Sequence, residues 1–257
     1  MLDLNNIKSF YPENLHKFDK LLLKEYLQYK ILQIIFNSKE ATSLCFIGET
    51  ALRIVYEGIR FSEDLDFDNF GLKEEHFDGL ILKVKKSLEL EGYEVEFRNV
   101  FKGAYRCYLR FPRLLYNLGL SGHEEEKVLI QIDTMSQSFK YKPENVLINK
   151  FDVFTKISVA PSDILLSQKI CAIFGRKTQK GRDFYDTVFL FSKTNPNFDY
   201  LENKLGVGNI KELKVKFLKL SKHLDFKQLS KDVEPFLFNE EDTKRVAMFY
   251  EFVYKLP

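Results

Sequence analysis

The spacing of apolar and polar residues predicts helices alternating with strands over the first 160 residues. Apolar residues recur at helical spacing in the segments 18–36, 50–56 and 73–90. Strict alternation or short apolar runs predict strands at 43–47, 62–67, 93–100, 104–111 and 128–134, and a strand-rich stretch over 146–159. These segments together predict a mixed α/β domain.

The pattern changes beyond residue 160. A helix is expected over 163–177, a second begins at Arg182, and nearly all of the remaining chain has helical spacing. Strands followed by a run of helices are typical of an α+β arrangement. We therefore expect a mixed-sheet domain at 1–160 and an α-helical domain at 161–257, with the cleft between them as the default place for a ligand.

Composition narrows the class of protein without identifying a partner. The 257 residues are 45% apolar and 30% charged, enough for a sizeable core. The formal net charge of +2 is near neutral, so the overall charge does not indicate which kind of partner the protein binds. The apolar segment 21–36 is interrupted by charges and is too short to cross a bilayer, so no membrane partner is expected. Three separated cysteines suit buried thiols in a reducing cytoplasm, and the first residues lack the pattern of a secretory signal.

An acidic run, SEDLDFDN, carries the first candidate chemistry. In a strand, Asp64, Asp66 and Asp68 would share one face, with neighbouring same-face residues about 7 Å apart. Two such carboxylates could converge on one hard cation such as Mg²⁺, which prefers oxygen ligands. The alternative is an acidic loop at a domain surface.

Two further features of the first domain add to this run. Gly48 stands where an apolar strand turns into a helix, so free amides there, with the Thr50 hydroxyl, could bind an anion. Asp133 follows an otherwise apolar strand, where a carboxylate needs a partner such as a metal ion or an activated hydroxyl. The alternatives are an ordinary glycine turn and a strand-end aspartate.

A second cluster of charges lies in the helical part. Lys169 and Arg176 are seven residues apart and would share a helical stripe, and Asp183 and Asp186 share a face of the next helix. Lysine suits a triphosphate as a point charge, and an adjacent aspartate could orient it. The alternative is surface lysines with a helix-capping aspartate.

These motifs resemble those of one protein family. GETALRIVYEGIRFSEDLDF at 48–67 is similar to the first motif of the AbiEii/AbiGii nucleotidyltransferase toxins. VLIQIDT at 128–134 resembles the family's third-carboxylate strand, and Lys169, Arg176 and RDFYD at 182–186 resemble its downstream motif. The resemblance covers residues 20–195 approximately.

The resemblance implies a polymerase-β-like nucleotidyltransferase core with a helical C-terminal domain, acting as the toxin of a bacterial toxin–antitoxin or phage-defence (abortive infection) pair. Such an enzyme transfers a nucleotide from a nucleoside triphosphate to an acceptor, which in the studied branches is transfer RNA, and it has a cognate antitoxin. By motif position the implied roles are these: metal ligands for Mg²⁺ or Mn²⁺ at Asp64, Asp66 and Asp133, a phosphate turn at Gly48 and Thr50, a downstream catalytic pair at Lys169 and Asp183, and a further phosphate contact at Arg176.

Two alternatives to transfer onto RNA stay open. The nucleotide could go to a protein hydroxyl instead. Glu49 stands where the family has a second glycine, so the chain could also be a nucleotide-binding or partner-binding module with impaired catalysis. Basic and aromatic residues interleave over 97–116, which suits either an RNA contact or a hairpin with a solvated basic face.

Overall fold

The computed structural model of the chain describes residues 2–257, which divide into two compact units. The first unit holds the residues up to Glu57 together with Phe61–Val159. The second holds Gly58–Arg60 and Ala160–Pro257. The short segment 58–60 therefore belongs to the second unit although it lies in the middle of the first in sequence.

The first unit is built on a mixed sheet. Its strands are β1 (Leu44–Ile47), β2 (Leu65–Asn69), β3 (Glu96–Phe101), β4 (Tyr105–Phe111), β5 (Val128–Ser136), β6 (Glu144–Lys150) and β7 (Val153–Val159). They lie in the order β3-β4-β5-β2-β1-β7-β6. The pairs β2–β5 and β1–β7 are parallel and the other neighbours are antiparallel. This sheet and its helices confirm the predicted mixed α/β fold.

The first unit also contains helices, some of which pack against this sheet. They are α1 (Leu4–Lys8), α2 (Asp19–Phe36), α3 (Gly48–Ile54), α4 (Glu74–Leu90) and α5 (Leu114–Asn117), with 3₁₀ turns at Glu13–Phe18 and Lys39–Ser43. The long helix α2 packs against β7, and α4 packs against β3 and β4. On α4, Phe77, Ile81 and Val84 are buried at helical spacing. Apolar residues at every second position of β4 complete this core.

Two predicted boundaries near the acidic run were wrong. The strand expected at 62–67 begins only at Leu65, and the helix expected at 50–56 begins at Gly48. The strand starts late because β1 ends at Ile47, which pairs with Asp66, so no neighbour on that side extends the ladder upstream. The carbonyl of Asp64 instead accepts a hydrogen bond from the Thr50 hydroxyl of α3.

The second unit is helical. It contains α6 (Ser162–Gly175), α7 (Gly181–Phe191), α8 (Phe198–Leu205), α9 (Ile210–Ser221), α10 (Phe226–Val233), α11 (Lys244–Ala247) and α12 (Phe249–Tyr254), with 3₁₀ turns at Glu234–Phe236 and Glu240–Thr243. Phe249 lies at the centre of its core, with the rings of Phe184 and Phe217 at centroid distances of 4.8 and 5.3 Å. No helix within residues 2–257 has the length and apolar character needed to cross a bilayer.

Candidate functional site

The sheet register brings two predicted site residues side by side. Asp66 of β2 is the partner of Asp133 on the parallel strand β5, and on its other side it pairs with Ile47 of β1. Residues paired across neighbouring strands present their side chains on the same face. Asp66 and Asp133 therefore occupy adjacent positions on one face of the sheet.

Gly48 allows Asp66 to lie against the start of α3. Its φ of +78° is in the region that favours glycine, and a Cβ built there would lie 2.2 Å from Oδ2 of Asp66. A side chain at this position would have to displace the Asp66 carboxylate. The physical requirement for glycine at residue 48 is thus the close approach of Asp66, a reason that the sequence motif did not disclose.

Thr50 and Glu49 hold the backbone that carries Asp64. The buried Thr50 hydroxyl donates to the carbonyl oxygen of Asp64. Glu49 accepts a hydrogen bond from the backbone N–H of Glu63, with 3.3 Å between N and Oε1. Both side chains of the first turn of α3 are therefore engaged with the segment that leads into β2.

The surroundings of Asp64 are strongly negative. Burial raises the pKa of Asp64 to about 6, and the negative charges of Glu49 and Glu63 act in the same direction. The backbone N–H of Gln131, 3.3 Å from Oδ1, opposes the shift only in part. A carboxylate in such a field is stabilised by a nearby cation.

Asp133 is held by two donors in this structure. Nε of Arg106 lies 2.8 Å from Oδ1, and Nε2 of Gln131 donates to Oδ2 at 2.8 Å. Arg106 is the partner of Asp133 in the β4–β5 register, so the ion pair joins two neighbouring strands directly. The predicted need of Asp133 for a partner is met here by a guanidinium and an amide.

Asp68 differs from the other two acids of the run. It is buried, and its Oδ2 accepts hydrogen bonds from the Tyr141 hydroxyl at 2.6 Å and from Nε2 of Gln137 at 3.2 Å. Strand alternation predicted that all three aspartates face one way. In the structure Asp68 accepts hydrogen bonds from two neutral donors, Gln137 and Tyr141, in the segment that follows β5. Asp68 therefore holds that segment against β2.

The donor chemistry of this site fits a hard divalent cation. Asp64 and Asp66 offer carboxylate oxygens, and the negative charge around Asp64 is offset in part by Lys24, which lies 3.5 Å from Glu63. Across residues 2–257, no three acidic, histidine or cysteine side chains stand together as a ready metal-binding group. Asp64 and Asp66 are thus the pair best suited to a cation, and Asp133 would have to exchange Arg106 for it.

The second unit assembles the downstream charges around Lys169 of α6. Its Nζ lies 3.4 Å from Oδ1 of Asp183 and 2.8 Å from Oδ2 of Asp186, both on α7. Arg60 binds Asp186 through two hydrogen bonds of 2.8 and 2.7 Å, and both side chains are only 4% exposed. The predicted pairing of Lys169 with Asp183 is present, and Asp186 shares the same lysine.

The predicted helical stripe of Lys169 and Arg176 was wrong. Helix α6 ends at Gly175, and Arg176 has an extended backbone just beyond it. The polar stretch that follows lacks apolar residues to continue the buried face of α6. Arg176 instead places its Nε 2.7 Å from Oδ2 of Asp183 as an ion pair, with half of its side chain exposed.

Arg60 matches the frame of the first motif, where the resemblance implies a supporting role but names no partner for it. It is 126 residues from Asp186, and no local pattern links the two. A second signal was the spacing of RDFYD, which puts Asp183 and Asp186 on one face of α7. A buried carboxylate at Asp186 requires a partner, but the sequence does not say which arginine supplies it.

Two solved structures resemble this chain over nearly its whole length. JHP933 from Helicobacter pylori is 20% identical, with 91% of this chain and 92% of that chain covered and a TM-score of 0.55. An H. pylori protein provisionally described as a nucleotidyltransferase is also 20% identical, with 91% and 94% covered and a TM-score of 0.56. At this identity the likeness shows a shared fold.

The family comparison is more specific than the structural one. No curated protein sequence gives a significant match. The model of the nucleotidyltransferase AbiEii toxin of type IV toxin–antitoxin systems matches residues 30–249, which include the acidic run, Asp133 and the cluster around Lys169. The chain belongs to the AbiEii family of nucleotidyltransferase toxins.

Proposed function

We propose that this protein transfers a nucleoside monophosphate from a nucleoside triphosphate to an acceptor, transfer RNA, in a reaction that requires Mg²⁺ or Mn²⁺. The observation that carries the proposal is the arrangement of Asp64 and Asp66, with Asp66 against Gly48 and Asp64 held by Thr50. Membership of a nucleotidyltransferase toxin family supports the reaction class, and a cognate antitoxin is the expected partner.

In this proposal Asp64 and Asp66 hold the metal ion, and Asp133 serves as a third carboxylate that ligates the metal or accepts the proton of the attacking hydroxyl. A bound divalent cation supplies Lewis-acid stabilisation of the charge that develops on the transferred and leaving phosphates. Gly48 provides the phosphate turn, since its amide lies at the start of α3. Thr50 keeps Asp64 in place through its hydrogen bond to the Asp64 carbonyl.

In this proposal Lys169 and Arg176 supply positive charge that binds the phosphates of the nucleoside triphosphate. Asp183 and Asp186 fix the Lys169 ammonium, because each places a carboxylate oxygen within 3.4 Å of it. The cluster has three cations and two aspartates, so its formal net charge is positive. The cations are Lys169, Arg176 and Arg60. That excess suits a polyanionic substrate.

The test incubates the purified chain with Mg²⁺, each α-labelled nucleoside triphosphate in turn, and total bacterial transfer RNA. We expect label on RNA from one nucleotide, and none with the Asp64→Ala/Asp66→Ala protein. Label on protein would move the acceptor assignment to a protein hydroxyl. Triphosphate binding without any labelled product from intact, folded protein would contradict the proposal and favour a binding module impaired by Glu49.

A further inference from the structure

The face of β3, β4 and β5 opposite α4 presents three arginines and one tyrosine. Register pairs Arg98 with Tyr108 and Tyr108 with Gln131 in one row across the three strands. In the neighbouring rows Arg106 lies beside Asp133, and Arg110 lies on the other side of Tyr108 along β4. We call Arg98, Arg106, Tyr108 and Arg110 the open face.

Contacts of the intervening residues confirm which face is covered. Phe101 and Tyr105, which alternate with the open-face positions, contact the ring of Phe77 on α4 in edge-on and tilted arrangements, at centroid distances of 6.1 and 5.7 Å. Asn99 donates to Asp78 of the same helix. Helix α4 therefore packs on the opposite side of the sheet, and the open face looks away from it.

The charge of the open face is positive and accessible. Arg98 is exposed, and 42% of the Arg106 side chain is exposed although it pairs with Asp133. Glu96, the acidic residue beside Arg110, is neutralised by Lys127 at 2.9 Å. The guanidinium of Arg110 lies 5.7 Å from the centre of the Tyr108 ring. A half-exposed tyrosine flanked by arginines is a surface on which unpaired bases stack and phosphates bind.

The open face also leads to the acidic pair. Strands lie about 4.8 Å apart, so Tyr108 on β4 is about 10 Å from β2, a length that about three stacked nucleotides span at roughly 3.4 Å each. The row of Tyr108 continues through Gln131, whose backbone N–H donates to Asp64. A single strand of RNA lying along this row would bring its terminal hydroxyl to the carboxylates of Asp64 and Asp66.

We propose that the open face binds the single-stranded end of the RNA acceptor, with Tyr108 stacking on a base and Arg98 and Arg110 contacting phosphates. This inference rests on the proposed function, since it assigns the acceptor surface of the same site. Arg106 is placed to contact the nucleotide nearest the carboxylates, because it already reaches Asp133. Flexible single strands fit a surface with one stacking ring, whereas a duplex offers it no free base.

The experiment measures binding of a fluorescein-labelled, mixed-sequence RNA hexamer to the full chain by fluorescence anisotropy, without nucleoside triphosphate. We expect Tyr108→Ala to weaken binding at least fivefold, as loss of one stacked base does, and Tyr108→Phe to retain it. Arg98→Gln/Arg110→Gln should weaken binding at least tenfold and reduce the magnitude of the slope of log affinity against log salt by about 1.4, for two phosphate contacts.

The matched control is Lys83→Gln/Lys86→Gln, which removes the same charge from exposed positions of α4 on the opposite side of the sheet. Equal weakening by this control, unchanged binding by the open-face variants, or equal binding of the duplex form of the hexamer would overturn the inference. Binding of labelled Mg²⁺–nucleoside triphosphate is measured on every variant and should stay unchanged.

The same assays separate this inference from the proposed function. Normal RNA binding by the parent protein with no transfer would count against the proposed function alone. Normal transfer by the parent protein, together with normal RNA binding by the open-face variants, would count against the inference alone.

Discussion

At the scale of single residues, Gly48 determines how the acidic pair is held. Its backbone φ of +78° and the 2.2 Å separation between an ideal Cβ and Oδ2 of Asp66 leave no room for a side chain. Asp66 can therefore lie against the first turn of α3 only because residue 48 is glycine. The close approach of the Asp66 carboxylate requires glycine at residue 48, in addition to the phosphate turn proposed for its amide.

Gly48→Ala is expected to lower nucleotidyl transfer at least tenfold, because the new methyl group displaces the Asp66 carboxylate. The left-handed backbone adds a cost of about 1–2 kcal/mol to the folded state. Transfer assays and urea unfolding measure the two effects separately. Gly79→Ala is the control, since Gly79 lies exposed within α4 with open space around it and should gain up to about 1 kcal/mol without a change in activity.

At the scale of elements, a buried ionic cluster joins α2, α3 and β6. Glu25 of α2 pairs with Nε of Arg53 on α3 at 2.7 Å and with Nζ of Lys150 on β6 at 3.0 Å. The Tyr11 hydroxyl donates to the same carboxylate at 2.8 Å. This cluster connects α3, which begins at Gly48, to the long helix α2. It therefore stabilises the position of the helix against which Asp66 lies.

The cluster predicts how stability depends on pH. Burial opposes ionisation of Glu25, but Arg53 and Lys150 outweigh it and hold the pKa of Glu25 below its ordinary value. Because the folded pKa is depressed, the stabilisation is complete above the pKa of an unfolded glutamate, about 4.3, and is lost as pH falls through the lower folded value.

Glu25→Gln should therefore lower the free energy of unfolding by about 3–5 kcal/mol at pH 7, since it leaves Arg53 and Lys150 buried without their carboxylate. The difference from the parent protein should shrink as the pH falls below 4. Urea unfolding across this pH range is the measurement. Glu241→Gln, at an exposed ion pair, should change stability by less than about 1 kcal/mol, and an equal loss there would contradict the argument.

The pair of Arg60 with Asp186 is the corresponding element-scale link in the second unit, because it ties the segment 58–60 to α7. Arg60→Gln should cost about 3–5 kcal/mol, because it removes the guanidinium that binds the buried Asp186 carboxylate. Adding Asp186→Asn should restore part of that loss, which a double-mutant cycle in urea would measure. Additive losses would show that the two side chains are not energetically coupled.

At the scale of the whole molecule, the repeat of apolar residues was sufficient to predict most elements. Helices α2 and α4 lie within one residue of their predicted bounds, and the hairpin of β3 and β4 is confirmed, because long periodic segments bury one continuous face. The match of the family model to residues 30–249 confirms the resemblance that the motifs indicated.

Features that depend on tertiary contacts could not be predicted in the same way. Alternation grouped Asp68 with Asp64 and Asp66. In the structure the carboxylate of Asp68 accepts a hydrogen bond from the hydroxyl of Tyr141, which is 73 residues away in sequence. The start of β2 depends on where β1 ends, and the partner of Asp186 is set by a segment 126 residues distant. Such pairings have no signature in local spacing. The roles of Asp64, Asp66, Asp133, Lys169 and Asp183 in catalysis stay predictions.

The most direct test compares Asp66→Asn with Asp68→Asn in nucleotidyl transfer to RNA at saturating Mg²⁺. The two substitutions remove one charge each from the same strand, but only Asp66 lies beside Gly48 and Asp133, while Asp68 bonds to Tyr141 and Gln137. We predict that Asp66→Asn abolishes transfer in a folded protein and that Asp68→Asn retains it. Full transfer by a folded Asp66→Asn protein would contradict the account.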